Sequence, residues 1–238
     1  MQWLLGRKRK TLIESGLLQG MTDWHSHILP GVDDGVQTMG EALEILKLYE
    51  QLGVKEVWLT PHIMEDIPNT TNSLRDRFEE LERAYNGAII LRLSAENMLD
   101  NLFAERFATG DVLPIGNKSD CLLVETSYFN PPTNLWQLLE IIKSRGYHPV
   151  LAHPERYFYM NDKDYEHLKE GGVLFQLNML SLTGLYGKPV LKKAHKLIRK
   201  GFYNLIGSDI HSLLVYQNQS NIKIDDDTLV NIQHLSHI

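Results

Sequence analysis

The chain has 238 residues, of which 43% are hydrophobic and 23% charged, and its formal net charge is −6. This balance is typical of a soluble globular protein with a sizeable core. The net charge argues against nucleic acid as the main partner, and no apolar run reaches the roughly 20 residues of a membrane span. Cys121 is the only cysteine, which excludes an intrachain disulfide and favours a reducing, cytoplasmic location.

Residues 1–20 are expected to form a basic tail, because four consecutive cations, Arg7 to Lys10, follow a very short apolar run. This order is the reverse of that in a signal peptide. A solvated tail is favoured over a segment that binds an anionic surface. No linker-like stretch interrupts the remainder, so residues 21–238 are predicted to form one domain.

From residue 21 onward, apolar runs alternate with amphipathic stretches that end at glycine or Asn-Gly. We predict strands over 21–28, 54–60, 88–95, 121–124, 147–152, 173–177 and 202–207. Helices are predicted over 40–52, 73–85, 134–144 and 189–200, with one more through Tyr165 and Leu168 and a last one after the acidic residues 225–227. Residues 99–118 are less regular and predict a short helix followed by a loop.

These elements make seven β/α units whose strands end roughly 25 to 35 residues apart, the usual length of a β-α-β repeat. Strands that alternate with helices form a parallel sheet, and seven or eight such units usually close into a barrel. The predicted fold class is therefore α/β, with a TIM-like barrel of seven units.

Side chains of metal-ligand type follow six of the seven predicted strands. The first strand carries a His-x-His pair, whose imidazoles project to one face because strand side chains alternate. In chain order the candidates are His25, His27, His62, Glu96, Glu125, His153, Asp209 and His211. A general preference of such residues for solvated strand ends would explain one or two of them. Eight favour a metal site at the C-terminal face of the barrel.

Five imidazoles and three carboxylates are too many ligands for one cation and suit two or three. Mixed nitrogen and oxygen ligands without thiolate favour Mn²⁺, Fe or Zn²⁺. Clustered metals generate hydroxide near neutral pH and stabilise an in-line displacement at phosphorus. The inferred reaction is hydrolysis, with a phosphate ester as the favoured substrate.

The motifs around these residues resemble the PHP (polymerase and histidinol phosphatase) superfamily. They are His25-Ser26-His27, Thr60-Pro61-His62, Glu96, Glu125, His153-Pro154-Glu155-Arg156 and Ser208-Asp209-Ile210-His211. The longer forms over 25–35 and 153–156 are similar to one branch, the bacterial metal-dependent protein-tyrosine phosphatases of capsule and exopolysaccharide synthesis. The resemblance runs from about residue 22 to residue 211, which is most of the chain.

The resemblance implies a distorted (β/α)7 barrel of the PHP type with a trinuclear site, and Mn²⁺ is the favoured metal. It implies that His25, His27, Glu96 and Asp209 surround one ion, that Glu96, Glu125 and His153 hold a second, and that His62 and His211 contribute to a third. It also implies that Arg156 binds the substrate phosphate, a role that guanidinium geometry suits.

By the same resemblance, the substrate is a phosphotyrosine in the flexible, tyrosine-rich tail of an autophosphorylating, membrane-associated kinase. The sequence departs from the branch in one respect. The branch has a further arginine several residues after its Asp-x-His motif, whereas residues 212–219 here contain no basic residue.

Two other functions fit the same residues. A small-molecule phosphomonoesterase of the histidinol-phosphatase type would keep the metals and change the substrate, and a barrel without catalysis would serve as a metal-binding regulatory module. A nuclease is disfavoured because the chain lacks a basic stripe. A phosphatase with a cysteine nucleophile is disfavoured because Ser127, and not arginine, stands six positions after Cys121.

Overall fold

The computed structural model describes residues 8–235. The strands in this range are β1 (Arg9–Lys10), β2 (Thr22–Ser26), β3 (Glu56–Leu59), β4 (His62–Ile63), β5 (Ile90–Leu93), β6 (Glu96–Met98), β7 (Cys121–Glu125), β8 (His148–Ala152), β9 (Leu174–Asn178), β10 (Leu205–Gly207) and β11 (Ile224–Asp225). The helices are α1 (Met39–Leu52), α2 (Thr71–Ala84), α3 (Phe103–Thr109), α4 (Leu135–Ser144), α5 (Asp162–Glu170), α6 (Lys188–Arg199), α7 (Leu213–Ser220) and α8 (Asp226–Ile232), and 3₁₀ turns cover Pro154–Arg156 and Met179–Thr183.

Helix α1 shows how local sequence sets these boundaries. The hydroxyl of Thr38 accepts a hydrogen bond from the N–H of Glu41 and so caps the first turn. The helix ends at Gly53, which adopts a left-handed conformation with a φ of 83°. Between these ends, one face of α1 is buried in the hydrophobic core. That face consists of Ala42, Ile45, Leu46 and Tyr49.

Two parallel sheets form the centre of the fold. One has six strands in the order β10-β9-β8-β7-β6-β4, and the other has three in the order β2-β3-β5. Strands β1 and β11 pair separately and antiparallel. The result is a mixed α/β fold with a curled parallel sheet, since β-α units impose parallel pairing and sheet twist curves the strands.

The second and third predicted strands each bend and divide between the two sheets. Strand β4 begins at His62, two residues past the predicted end of its strand, and β6 begins at Glu96, one residue past the predicted end of its strand. The ladder continues across the bend, because the N–H of Ser94 donates to the carbonyl of Leu59 and the N–H of Glu96 to that of Pro61. Pro61 lacks an N–H and fixes its own φ, which explains why regular pairing is interrupted there.

Strands β2 and β10, which belong to different sheets, lie side by side. The N–H of Asp209 donates to the carbonyl of His25 at 2.8 Å, and the N–H of His27 donates to the carbonyl of Ile210 at 3.0 Å. Gly207 permits this approach, since a Cβ there would lie 2.5 Å from the Cβ of His25. The curl of the sheet therefore brings the first and last parallel strands together.

The N-terminal segment corrects one expectation. Residues 1–7 lie outside the described range, but Arg9–Lys10 pairs with Ile224–Asp225, and Leu12, Leu17 and Leu18 are buried in the core. Residues 8–20 therefore pack on the domain, although a solvated tail over 1–20 was expected. The run of basic residues suggested a solvated tail, but burial of the three leucines that follow it anchors the segment to the core.

The C-terminal region contains α7, which was not predicted because its apolar and polar residues lack a helical period. The acidic residues before the last helix behave as expected, and Asp225 caps α8 through the N–H of Thr228. Within residues 8–235, no helix has the length and apolar character needed to cross a membrane.

Candidate metal centre

The structure brings the eight predicted ligands together at one end of the parallel strands. Each lies at the end of a strand, just after one, or at the start of the short segment beyond a bend, and all but the half-buried His211 are buried. The carboxyl ends of parallel strands meet on one face, which explains how residues almost two hundred positions apart become neighbours.

Glu96 lies at the middle of the cluster. Its Oε2 is 3.0 Å from Nε2 of His25, 3.3 Å from Nε2 of His27 and 3.2 Å from Nδ1 of His62. Its Oε1 is 3.0 Å from Nε2 of His153. One fully buried carboxylate thus contacts four imidazoles, an arrangement that suits an oxygen ligand shared between cations.

Asp209 borders the cluster on the side of β10. Its Oδ1 is 3.3 Å from Nε2 of His27, 3.5 Å from Nε2 of His25 and 3.5 Å from Nδ1 of His211. The two Nε2 atoms of the His-x-His pair are themselves only 3.0 Å apart. A carboxylate oxygen and several imidazole nitrogens therefore face a common volume.

Glu125 is the third carboxylate of the cluster, and it lies close to His62 and His153. Oε1 of Glu125 lies 2.9 Å from Nδ1 of His62, and Oε2 lies 4.0 Å from Nε2 of His153. The first two atoms are buried and close but are not aligned as a hydrogen bond. This geometry fits two atoms that share a third partner such as a cation.

The donor atoms form four overlapping groups, each with all atoms within 4.8 Å of one another. They are His25, His27 and Asp209; His25, Glu96 and His153; His62, Glu96 and Glu125; and His27, Asp34, His62 and His211. Imidazole nitrogens and carboxylate oxygens are suitable ligands for Mn²⁺, Fe and Zn²⁺, so the residues present fit a cluster of divalent cations.

The charges of the cluster are strongly coupled. Burial would lower the pKa of His25, but Glu96 and Asp209 outweigh burial and raise it to about 9. Burial would raise the pKa values of Glu96 and Asp209, but the neighbouring imidazoles hold both well below their usual range. Both carboxylates are therefore anionic at neutral pH, and the centre favours cations.

Asp33 orients His27. Its Oδ2 accepts from Nδ1 of His27 at 2.8 Å and from the N–H of His62 at 3.0 Å, and its Oδ1 accepts from the N–H of Gly35 at 3.0 Å. Because Nδ1 of His27 donates to Asp33, Nε2 is the nitrogen that faces the cluster and can serve as a ligand once it has lost its proton. Gly35 has no room for a Cβ, which would lie 2.4 Å from that of His27.

Gln176 orients His25 in the same manner. Its Oε1 lies 2.9 Å from Nδ1 of His25 and also accepts from the N–H of His153 at 3.3 Å. Its Nε2 donates to the carbonyl of Leu177, so the amide oxygen is held toward the histidine. Gln176 therefore directs Nε2 of His25 into the cluster.

Arg156 lies at the entrance. Its Nη1 donates to Oδ2 of Asp209 at 2.7 Å, and its guanidinium carbon lies 4.4 Å from the ring centre of Tyr128 and 4.2 Å from that of Tyr186. The two rings sandwich the cation. These residues line a cleft of about 430 Å³ together with Asp34, His62, His153, Leu185, His211 and Val215. Among the described residues that line it, Arg156 is the only lysine or arginine.

Two of the candidate ligands have unusual backbone conformations. His153 and Asp209 have φ values of 33° and 52°, in the left-handed region that non-glycine residues rarely adopt. Such strain costs on the order of 1–3 kcal/mol per residue and persists where surrounding contacts enforce it. It lies at the ends of β8 and β10, where the side chains turn toward the cluster.

Residues 21–219 match the family model described as "Capsular polysaccharide synthesis, CpsB/CapC". The chain belongs to the CpsB/CapC family. The putative tyrosine-protein phosphatase CapC of Staphylococcus aureus is 30% identical over 203 residues, which cover 81% of this chain and 78% of that relative. The tyrosine-protein phosphatase YwqE of Bacillus subtilis is 27% identical over 199 residues, with the same coverage of 81% and 78%. The resemblance to the capsule branch is thus confirmed.

A solved structure of this family has a similar fold. It comes from a study of YwqE from Bacillus subtilis and CpsB from Streptococcus pneumoniae, described as unique metal-dependent tyrosine phosphatases. The TM-score is 0.77 at 24% identity, and the match covers 91% of this chain and 88% of the other. The curled parallel sheet is therefore a shared feature of the CpsB/CapC fold.

The centre of this CpsB/CapC protein also contains residues that sequence reasoning did not single out. Asp33 and Asp34 are two such residues, although two adjacent acids six and seven positions after His27 are a usable signal. Asn178, whose Nδ2 donates to Asp209 at 2.6 Å, follows the one predicted strand without a ligand-type residue. Gln176 is a polar residue within a buried strand, which was the available signal.

Proposed function

We propose that this chain is a metal-dependent protein-tyrosine phosphatase. One observation carries the proposal: a buried cluster of imidazoles and carboxylates borders a cleft whose entrance holds a single guanidinium between two tyrosine rings. The cluster suits cation binding and the guanidinium suits a phosphoryl group. The names of the CpsB/CapC relatives support this reading.

We propose that two or three divalent cations, with Mn²⁺ favoured, bind the eight predicted ligands. Nδ1 of His62 lies 3.2 Å from Oε2 of Glu96 and 2.9 Å from Oε1 of Glu125, which supports a position for His62 beside the second ion as well as the third. Asp34 joins His211 as a further candidate at the outer group. When bound, such cations supply Lewis acidity to phosphoryl oxygens and to water.

Arg156 is proposed to bind and orient the phosphate. Burial would lower its pKa, but Asp209 together with the ring environment raises it, so the guanidinium keeps its charge. The contact with Asp209 uses only Nη1, and no other side-chain hydrogen bond from the guanidinium occurs within residues 8–235. The remaining N–H groups are available to phosphoryl oxygens.

The phenolate leaving group needs little general-acid assistance from the protein. The conjugate acid of a phenolate has a pKa of about 10, so a tyrosine product can depart without a strong general acid. A cysteine nucleophile is not available either. Burial, reinforced by Asp120, raises the pKa of Cys121 to about 12, and the thiol packs in an apolar cluster away from the cleft.

We further propose that the curled sheet is a distorted (β/α)7 barrel of the PHP type. The hydrogen bonds between residues 25–27 and 209–210 support closure between β2 and β10. The domain is proposed to extend from residue 21 to the C-terminus, with the preceding segment packed beside it through β1.

The proposed substrate is the flexible, tyrosine-rich tail of a membrane-associated kinase that controls polysaccharide export, encountered in the cytoplasm. The family description names capsular polysaccharide synthesis, which supports this setting. A flexible tail can deliver its phosphorylated ring to the cleft without a large preformed interface.

The test compares three substrates with and without chelator. With Mn²⁺ supplied, a phosphotyrosine peptide and p-nitrophenyl phosphate should be hydrolysed, and chelator should abolish both reactions. Faster hydrolysis of histidinol phosphate than of the peptide would favour the small-molecule phosphatase. Absence of turnover with Mn²⁺, Fe²⁺ and Zn²⁺ would favour the regulatory module.

A further inference from the structure

Large exposed apolar side chains line the cleft or lie one or two residues along the chain from side chains that line it. Phe129 is 69% exposed and Phe158 is 56% exposed, on loops that follow β7 and β8. Leu185 and Val215, which are 37% and 42% exposed, line the cleft itself. Exposed apolar groups that gather at one place indicate a binding surface more often than isolated ones do.

The two phenylalanines form a preassembled platform. Their rings stack with centres 5.7 Å apart and an angle of 20° between the planes. The N–H of Phe158 donates to the carbonyl of Tyr128 at 2.8 Å, which ties the two loops together. A platform that is already ordered loses little entropy when a ligand packs on it.

Along the chain, the platform adjoins two residues that line the cleft, Tyr128 and Arg156. Phe129 follows Tyr128, whose ring covers Arg156, and Phe158 lies two residues beyond Arg156. Adjacent Cα atoms are about 3.8 Å apart, and an extended peptide advances about 3.3 Å per residue. The residues that flank a phosphotyrosine held in the cleft are therefore within reach of this platform.

We propose that Phe129, Phe158, Leu185 and Val215 form a peptide-binding rim that selects phosphotyrosines flanked by apolar or aromatic side chains. The inference rests on the proposed phosphatase function and goes beyond it by naming residues that set peptide preference. Val215 lies in the segment 212–219, which lacks a basic residue. The rim therefore supplies apolar contact beside a cleft whose described lining contains one guanidinium and no second lysine or arginine.

The experiment uses Mn²⁺-loaded full-length protein and three substrates. They are p-nitrophenyl phosphate and two phosphotyrosine peptides that differ only in having leucine or serine on both sides of the phosphotyrosine. We expect kcat/KM to be about tenfold higher for the leucine peptide. The double variant Phe129→Ala/Phe158→Ala should lose most of that preference, through KM, and hydrolyse p-nitrophenyl phosphate within about twofold of the parent.

Ile90→Ala is the matched control, because Ile90 is 50% exposed and begins β5 at the opposite end of the strands. It should keep the peptide preference. Equal rates on both peptides for the parent protein would overturn the rim. So would an equal loss on all three substrates in the double variant, which would indicate a structural role. Failure of the parent on p-nitrophenyl phosphate would instead refute the phosphatase function itself.

Discussion

Asp33→Asn is a stringent test of the proposed ligand arrangement, because it changes one atom next to the cluster and no proposed ligand. All three partners of Asp33 are donors, namely Nδ1 of His27 and the N–H groups of His62 and Gly35. A carboxylate accepts from all three. An asparagine has one oxygen, so in either orientation its NH₂ faces at least one donor.

The expected loss of metal affinity follows from the hydrogen bonds that Asp33→Asn removes. A buried donor left without an acceptor costs about 1–3 kcal/mol. If the NH₂ faces His27, the imidazole is driven to the tautomer with its proton on Nε2, the nitrogen that faces Glu96 and Asp209. Removal of such orienting partners typically weakens metal binding about 10- to 100-fold, which corresponds to about 1.4–2.7 kcal/mol.

The assay is calorimetric titration of Mn²⁺ into metal-free protein, with turnover of p-nitrophenyl phosphate measured at limiting and saturating Mn²⁺. We expect the dissociation constant to rise 10- to 100-fold and turnover at limiting metal to fall in parallel. Asp76→Asn, an exposed change on α2, is the control and should behave as the parent. Parent-like metal affinity in a folded Asp33→Asn protein would refute the assigned role of His27.

Three further predictions follow from the same geometry. Gly207→Ala forces a Cβ to within 2.5 Å of that of His25 and should lower the free energy of unfolding by about 2–3 kcal/mol, measured by urea denaturation. An unchanged denaturation midpoint would contradict the close approach of β2 and β10. Arg156→Ala should lower kcat/KM for p-nitrophenyl phosphate about 100-fold while metal content stays constant, and loss of metal would show that the residue has another role. The pKa of His25 near 9 means that its imidazole is protonated at neutral pH in metal-free protein and must lose the proton to bind a cation. Apparent Mn²⁺ affinity should therefore rise with pH from about 6.5 to 9 with proton release, measured by titration in two buffers of different ionisation enthalpy, and pH-independent affinity would contradict the assignment.

The sequence predicted the β/α order and the convergence of the eight candidate residues, because both follow from local periodicity and from the geometry of parallel strands. It did not predict the bends at Pro61 and before Glu96, which depend on how two sheets share a strand. It also missed the pairing of Arg9–Lys10 with Ile224–Asp225, since a two-residue strand has no period to detect.

The orienting residues were harder to predict than the ligands. Gln176 and Asn178 act through contacts with His25 and Asp209, which come from distant parts of the chain. Their importance depends on which neighbour accepts or donates, and a single sequence contains no record of those partners. The sandwich of Arg156 between Tyr128 and Tyr186 is also tertiary, although Tyr128 was recognisable as a residue close to a strand end.

The central claim is that this cluster binds several cations jointly, and metal content per chain tests it most directly. Protein purified with Mn²⁺ and dialysed should retain two or three ions per chain by elemental analysis and hydrolyse p-nitrophenyl phosphate. Asp209→Ala, which removes a ligand at the edge of the cluster, should retain at least one ion fewer and lose turnover. A parent protein that holds no metal and yet turns over in the presence of chelator, or an Asp209→Ala protein with full metal content and rate, would contradict the account.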